Sequence, residues 1–336
     1  MRFPSILKER CVQALLIAVS VGWLVMAVRP PDYLAIFKAS EDRFYYMKAH
    51  PPAEIDLLLV GDSRVMQGLS TEVFREHLPG CRSVFNYGFP SLRYTDETLD
   101  DIDKMLSGSG GEKRVILQLT KETFPLNPPQ IVANRMIHEY REVSLLTGFL
   151  LRSRFDTVKC FLPLNLRQLW IGLKNPKAFQ NYQNNTLQRM NNTIFHDDGW
   201  RQMLRPSGRP AVFAEMVHRR VSQSAVDSLM RRVQNWRSRG IHVYGFYPPS
   251  SERLQSYVDE MVQDANDDIE ERFVRAGGKT IDVHDREYAT YDDVHLASEQ
   301  AERLTLEIVG RLTGSGDVPA DSRRAGAERK RFVDPG

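Results

Sequence analysis

Short apolar runs alternate along the chain with stretches that have helical spacing. The run at 55–60 is almost entirely apolar and ends at Gly61, and residues 69–78 after it repeat apolar side chains with helical spacing. The same order returns at 83–87, followed by 96–106. Apolar runs of this length are typical of buried parallel strands. Because strands alternate with helices, the pattern predicts an α/β fold with an open parallel sheet covered on both faces.

The later part of the chain repeats this alternation after a long interruption. Strands are predicted at 114–119, 241–247 and 279–283, and helices at 221–239, 252–276 and 298–312. Between about 126 and 210 the apolar pieces are interrupted by Pro, Gly and Arg. We interpret this segment as a mainly helical and irregular insertion that builds a lid or a docking face, with ordinary core packing explaining most of its leucines.

The amino terminus carries the longest uncharged apolar stretch. Residues 1–10 are basic overall, and residues 11–28 contain no charged side chain. This pattern predicts a cytoplasmic n-region, a transmembrane signal anchor at 11–28 and export of the remainder. A cleavable signal peptide is the alternative, because 18–20 is a small-x-small site, but the apolar run continues beyond it.

The anchor leads into a segment bounded by two Pro-Pro pairs. These stiff connectors predict a stalk over 29–53, so the folded domain is expected at 54–312. The tail at 313–336 has few apolar residues and is predicted to be disordered.

Composition narrows the classes of partner and site. The 336 residues carry 45 Lys and Arg against 43 Asp and Glu, a formal charge of +2, without a basic groove. We therefore expect no nucleic-acid partner. The 3 cysteines are too few for a disulfide scaffold and lack the spacing of a zinc site, so no metal site is expected.

A serine stands where the first predicted strand ends and the next helix begins, in the sequence Gly61-Asp62-Ser63. Ligands of open α/β sheets bind outside the carboxyl ends of the strands. A serine hydroxyl there is exposed, and the free N–H groups of the following helix can face an oxyanion. The simpler interpretation is that Ser63 only caps the helix.

A second polar turn, Asp292-Asp293-Val294-His295, precedes the last predicted helix. A nucleophilic serine needs a base within hydrogen-bond reach and a carboxylate that orients the base. His295 is the predicted base and Asp292 its partner, with Asp293 as the adjacent alternative. Helix capping or a polar surface turn would also account for these residues.

These motifs resemble the SGNH, or GDSL-like, hydrolase superfamily. The resemblance rests on Gly61-Asp62-Ser63, on Asn86-Tyr87-Gly88 and on Asp292-x-x-His295. It implies a three-layer, flavodoxin-like fold and a triad of Ser63, His295 and Asp292. It also implies oxyanion donors from the backbones of Ser63 and Gly88, and a reaction without metal or organic cofactor.

One block of the family is missing. Where the family has Gly-x-Asn-Asp, with an asparagine that donates to the oxyanion, this chain reads Thr120-Lys121-Glu122-Thr123. Thr120, Lys121 or Thr123 would have to supply a substitute donor. A slow hydrolase, a transferase that excludes water and an inactive relative are all compatible with this change.

The architecture is also similar to exported proteins that accompany membrane-bound O-acyltransferases. This similarity implies an esterase or O-acyltransferase that acts on acylated cell-surface carbohydrate or another ester, with a multi-pass O-acyltransferase as partner. The alternative is a non-catalytic glycan-binding or scaffolding protein.

Arg64 is a candidate for binding a substrate carboxylate, or for pairing with an acidic neighbour. Trp200 is a candidate for stacking on carbohydrate, although 196–200 also has the composition of a simple turn.

Overall fold

The computed structural model describes residues 33–108, 111–124, 132–153, 174–206, 221–261, 268–283 and 287–314, together with Gln13, Ile17 and Ser20. The predicted anchor at 11–28 and the tail beyond 314 therefore lie largely outside the described residues. Within the described part of the chain, no helix combines the length and the apolar character needed to cross a membrane.

Five parallel strands form the central sheet, in the order β2-β1-β3-β6-β7, and two short strands form a separate antiparallel hairpin. The strands are β1 (Leu57–Gly61), β2 (Val84–Gly88), β3 (Arg114–Gln118), β4 (Thr193–Phe195), β5 (Arg201–Met203), β6 (His242–Phe246) and β7 (Lys279–Ile281). The predicted parallel sheet is confirmed. Because Gly61 pairs with Gly88, the carboxyl ends of β1 and β2 are level with each other.

Helices connect these strands and cover both faces of the sheet. They are α1 (Tyr33–Ala49), α2 (Ser63–Gly68), α3 (Thr71–His77), α4 (Asp96–Leu106), α5 (Val132–Arg141), α6 (Leu145–Ser153), α7 (Pro176–Asn192), α8 (Gln223–Ser238), α9 (Glu252–Met261), α10 (Ile269–Arg275) and α11 (Ser298–Thr313). The region predicted as one helix at 252–276 contains α9 and α10. The residues between these two helices lie outside the described part.

Alternate side chains of the central strands enter two different cores. Leu58 and Val60 pack in the core that contains α4 and α8, whereas Leu57 and Leu59 pack in the core that contains α2, α3 and α11. Successive side chains of a strand point to opposite faces, and a parallel sheet is buried on both. The chain is therefore an α/β protein whose sheet lies between two helical layers, consistent with a three-layer fold.

The segment predicted as a stalk is part of the folded domain. In α1, Phe44 and Tyr45 are buried and belong to the same core cluster as Leu58. Lys48, in the same helix, is fully buried. The stalk prediction was wrong for 33–49 because this helix packs its aromatic side chains onto the domain.

The predicted insertion contains a hairpin as well as helices. Strands β4 and β5 are antiparallel and are joined by a turn at 196–200, as the composition of that turn predicts. The backbone N–H of Asn86 donates to the carbonyl oxygen of Asp198 at 2.8 Å, so the turn is attached to the outer edge of β2. Each strand of the hairpin has three residues, too few to give a recognisable period in the sequence.

Candidate active site

Ser63 is the first residue of α2, directly after β1. The cap of this helix is Asp62, whose carboxylate accepts a hydrogen bond from the N–H of Arg64 at 2.8 Å. The alternative in which Ser63 serves only as the cap is therefore wrong. As a first-turn residue, Ser63 has an N–H that the helix itself leaves without a partner.

His295 lies in the turn between β7 and α11, and Asp292 organises this turn. One carboxylate oxygen of Asp292 accepts the backbone N–H of Val294 at 3.1 Å and that of His295 at 2.7 Å. Asp293 adopts a φ of 70°, a left-handed conformation in which Asp is enriched. These local bonds set the direction of the imidazole.

The turn brings His295 to Ser63. The imidazole Nε2 lies 2.8 Å from the hydroxyl oxygen of Ser63, and Nδ1 lies 2.8 Å from the second carboxylate oxygen of Asp292. Burial opposes the charge of Asp292, but its hydrogen bond to His295 and the attraction between them hold its pKa below the ordinary value. A hydroxyl that is hydrogen-bonded to an imidazole, which is in turn hydrogen-bonded to a carboxylate, is the arrangement that an activated serine requires.

Asp293, the alternative orienting carboxylate, faces another partner. Its carboxylate lies 2.9 Å from the guanidinium of Arg253. The structure therefore places Asp292, and not Asp293, against the ring of His295.

Tyr291 connects the two segments that carry these groups. Its ring stacks on the imidazole of His295, with centroids 5.9 Å apart and an interplanar angle of 26°. Its hydroxyl donates to the side-chain oxygen of Gln67 at 2.8 Å. Because Gln67 belongs to α2, which begins at Ser63, this bond ties the late turn to the early helix. Nothing in the local sequence pattern pointed to Tyr291 or Gln67.

Arg64 follows the serine in α2, and acidic side chains hold its guanidinium. It is only 8% exposed, and its guanidinium contacts Asp62 at 2.7 Å and Glu122 at 3.4 Å. It also donates to the hydroxyl of Thr120 at 3.0 Å. The prediction that Arg64 binds a substrate carboxylate is therefore corrected, because two carboxylates of the chain already occupy the guanidinium.

Gln118, the last residue of β3, completes this buried network. Its amide nitrogen donates to the carboxylate of Asp62 at 2.9 Å, and its oxygen accepts the N–H of Asp62 at 3.0 Å. Burial alone would raise the pKa of Asp62, but the charge of Arg64 and the hydrogen bonds lower it to about 2. In the sequence, the sign of this network was Gln118, a polar side chain at the end of an apolar strand.

The low pKa of Asp62 predicts how stability depends on acid. Its folded value of about 2 lies below the ordinary 3.8, so the ionised carboxylate stabilises the folded state fully above about pH 4. As pH falls through about 2, we expect a loss on the order of 2 kcal/mol that Asp62→Asn does not show. Urea denaturation at several pH values measures the free energy of unfolding of the wild type and of Asp62→Asn. Parallel pH profiles for the wild type and Asp62→Asn would contradict it.

The donors expected to meet an oxyanion are only partly in place. The N–H of Gly88 donates to the side-chain oxygen of Asn86 at 2.9 Å, which corrects its predicted role. The hydroxyl of Thr123 donates to the carbonyl of Thr120 at 2.6 Å, and Lys121 lies 3.8 Å from an acidic side chain. The hydroxyl oxygen of Thr120 accepts hydrogen bonds from Arg64 and Gln118. These two bonds leave the hydroxyl proton of Thr120 unused.

Trp200 does not offer a face to a ligand. Its side chain is 0% exposed, and its indole N–H donates to the carbonyl of Gln67 at 3.2 Å. The prediction that Trp200 stacks on carbohydrate was wrong because the indole packs inward and fastens the hairpin to α2. In the described part of the chain, no group of His, Cys, Asp and Glu side chains is arranged to hold a metal ion.

Comparisons with known proteins give distant structural likeness. No known protein family and no curated protein matches the chain. Among solved structures, a protein from Streptococcus pneumonia that is provisionally described as a platelet activating factor is similar with a TM-score of 0.35 and 12% identity. The match covers 88% of this chain and 97% of that chain. A TM-score this low carries no argument about function.

Proposed function

We propose that the chain is an exported, serine-dependent esterase or O-acyltransferase of the SGNH type, acting on acyl esters of cell-surface carbohydrate. The observation that carries the proposal is the continuous hydrogen-bonded path from Ser63 through His295 to Asp292. The sheet order, 2-1-3-4-5 when its strands are numbered alone, supports a flavodoxin-like fold, with the serine at the carboxyl end of β1.

The proposed reaction begins at the hydroxyl of Ser63. Its oxygen attacks the ester carbonyl carbon while Nε2 of His295 takes the hydroxyl proton, and Asp292 stabilises the imidazolium. The carbon–oxygen bond to the alcohol then breaks, and His295 returns the proton to the leaving oxygen. Water or a sugar hydroxyl then attacks the acyl carbon while His295 takes its proton. The bond to the serine oxygen breaks, an acid or a new ester is released, and His295 returns the proton to Ser63.

The donors at the site set the expected rate. The N–H of Ser63 and the hydroxyl of Thr120 are the groups we assign to the oxyanion. Because Gly88 is engaged elsewhere and the asparagine block is absent, we expect slow hydrolysis: the loss of one donor costs on the order of a hundredfold.

The proposed setting is the outer side of a cytoplasmic membrane. Residues 11–28 would anchor the chain, and α1 follows shortly after them and packs in the core. The site would then be held near the membrane surface, where a multi-pass O-acyltransferase is the proposed partner. No nucleic-acid partner and no cofactor are part of this proposal.

A fluorophosphonate probe tests the serine directly. We expect the full chain, purified in detergent, to be labelled and Ser63→Ala not to be labelled, because only an activated hydroxyl attacks the phosphorus. The labelled residue is identified by mass spectrometry of the digested protein. Labelling of both proteins, or of neither, counts against a catalytic Ser63.

The second candidate function is a non-catalytic glycan-binding or scaffolding partner of an O-acyltransferase. The engaged N–H of Gly88 favours it, because an oxyanion hole with few donors gives little catalysis. In that case Ser63→Ala would retain both folding and binding of acylated glycan, and the wild type would not react with the probe.

A further inference from the structure

The helix that carries the proposed nucleophile and the turn that carries the proposed base meet at two points. At the first, Nε2 of His295 lies 2.8 Å from the hydroxyl oxygen of Ser63. At the second, the hydroxyl of Tyr291 donates to the side-chain oxygen of Gln67 at 2.8 Å. Ser63 and Gln67 stand four residues apart in α2, so the turn contacts one face of this helix at two positions one helical turn apart.

The turn keeps its own two contact residues together. The backbone N–H of Tyr291 donates to the carbonyl oxygen of His295 at 3.0 Å, and an antiparallel bridge joins Thr290 to Leu296 just outside them. The two rings also stack, with an interplanar angle of 26°. Because the backbone and the rings are both joined, a movement of Tyr291 is passed on to the imidazole of His295.

The contact between Tyr291 and Gln67 is well defined on both sides. Burial, with a smaller effect from the charge of Asp292, raises the pKa of Tyr291 to about 12, so the phenol keeps its proton near neutral pH and donates it. The acceptor Gln67 is 5% exposed, and its backbone carbonyl accepts the indole N–H of Trp200 at 3.2 Å. A hydrogen bond to such a buried group is costly to break, because the group gains no water in exchange.

We infer that Tyr291 is a positioning residue, whose contacts to Gln67 and to the imidazole keep His295 at bonding distance from Ser63. A turn held at one point can pivot about the bond between His295 and Ser63, and the second contact removes this freedom. The inference rests on the proposed function and deepens it. A general base must lie within hydrogen-bond reach of the proton that it takes, and a small misplacement lowers the rate strongly.

Loss of the second contact should loosen the turn without unfolding it. The carbonyl oxygen of Asp293 accepts the N–H of Ser251 at 3.1 Å, and the carboxylate of Asp293 pairs with Arg253. These bonds hold the turn independently of Tyr291. The expected effect of a change at Tyr291 is therefore on kcat, with a folded protein.

Two variants separate the hydroxyl of Tyr291 from its ring. Tyr291→Phe keeps the ring and removes the bond to Gln67, and we expect kcat for an aryl acetate to fall about tenfold. Tyr291→Leu removes both contacts, and we expect a fall of about a hundredfold. KM should change little, because these contacts orient the base and not the substrate. Adding Gln67→Leu to Tyr291→Phe should lower kcat little further, because both changes remove the same bond.

Tyr288→Phe is the matched control. Tyr288 stands three residues before Tyr291, and its hydroxyl donates at 2.6 Å to the carboxylate of Glu307 in α11, so this variant also removes a bond from a phenol to a helix. Its kcat should stay near the wild-type value. Thermal unfolding is recorded for every variant, and if Tyr291→Leu does not fold, Tyr291→Phe and the control decide. An equal loss in the control, a loss confined to KM, or wild-type kcat in the folded Tyr291 variants overturns the inference.

A proton NMR signal tests the positioning without any ester. The imidazole N–H that donates to Asp292 gives a far-downfield resonance when the ring is held in place, and His295→Gln identifies this signal. We expect it in the full chain in detergent and in Tyr288→Phe, and we expect its loss in Tyr291→Leu. If these results hold while the wild type hydrolyses no ester, the proposed function fails and the positioning role stands. A signal that Tyr291→Leu retains, or that the wild type lacks, contradicts the positioning role.

Discussion

His295→Gln is expected to lower kcat for ester hydrolysis by about 10⁴-fold or more, because the amide cannot take the proton of Ser63. The imidazole Nε2 is 2.8 Å from that hydroxyl, so the geometry for proton transfer exists before substrate binds. Initial rates with an aryl acetate measure the effect. His242→Gln is the control, because His242 begins β6 and so lies at the amino-terminal end of a strand, whereas Ser63 follows the carboxyl end of β1.

The two neighbouring aspartates provide a matched comparison for the same prediction. Asp292→Asn should lower kcat by about 10⁴-fold, since an amide favours the wrong tautomer of His295. Asp293→Asn should change kcat by only a few-fold, because its carboxylate faces Arg253. Asp292 also accepts two backbone N–H groups, so thermal unfolding of both variants is recorded to separate misfolding from lost catalysis.

Residues that act as a unit give effects that do not add. Combining Ser63→Ala with His295→Gln should therefore lower kcat hardly more than either change alone. If the two effects multiply instead, or if His295→Gln retains a tenth of the wild-type rate, the histidine does not serve as the base for this serine.

The parts of the fold that the sequence predicts are those encoded by short, contiguous patterns. An apolar run that ends in Gly61 predicts both β1 and the edge at which Ser63 stands, because strand ends and helix starts are local features. The general rule that ligands bind at the carboxyl edge of such a sheet then relates this residue to the distant turn. The 2.8 Å contact between Ser63 and His295 agrees with that expectation.

The errors concern polar groups whose partners the local pattern does not reveal, whether the partner is two residues away or far along the chain. Arg64 is occupied because β3 is followed by Glu122, and Trp200 is buried because the hairpin folds onto α2. The N–H of Gly88 is engaged by a side chain only two residues away, a choice that spacing alone does not reveal. For Glu122 and Trp200 long-range packing decides the partner, and a single sequence contains no direct record of it.

The buried lysine of α1 is the clearest case of this limit. Burial lowers the pKa of Lys48 well below its ordinary value, and a lysine in a sequence is normally assigned to the surface. Here its side-chain nitrogen donates to the carbonyl oxygens of Asn86 and Gly199 and lies 5.0 Å from the centroid of the Phe44 ring. These contacts join α1, β2 and the hairpin at one point, so the hairpin depends on a close approach of backbones there.

Gly199→Ala is expected to disrupt this junction and to cause a large loss of stability. Gly199 has a φ of 88°, and an added Cβ would overlap the carbonyl oxygen of Asn86 and lie 3.0 Å from the nitrogen of Lys48. The matched control is Gly240→Ala, because Gly240 has a similar φ of 82° but open space around the position of a Cβ.

Both alanine variants carry the cost of a left-handed backbone, about 1–2 kcal/mol, and only Gly199→Ala adds the clash. We expect Gly199→Ala to lower the free energy of unfolding by roughly 2 kcal/mol more than Gly240→Ala, in the range of overpacked interiors. Urea denaturation of the full chain in detergent measures both variants. Equal losses in the two would mean that the hairpin can move away from β2 at little cost, and that Lys48 does not fix its position.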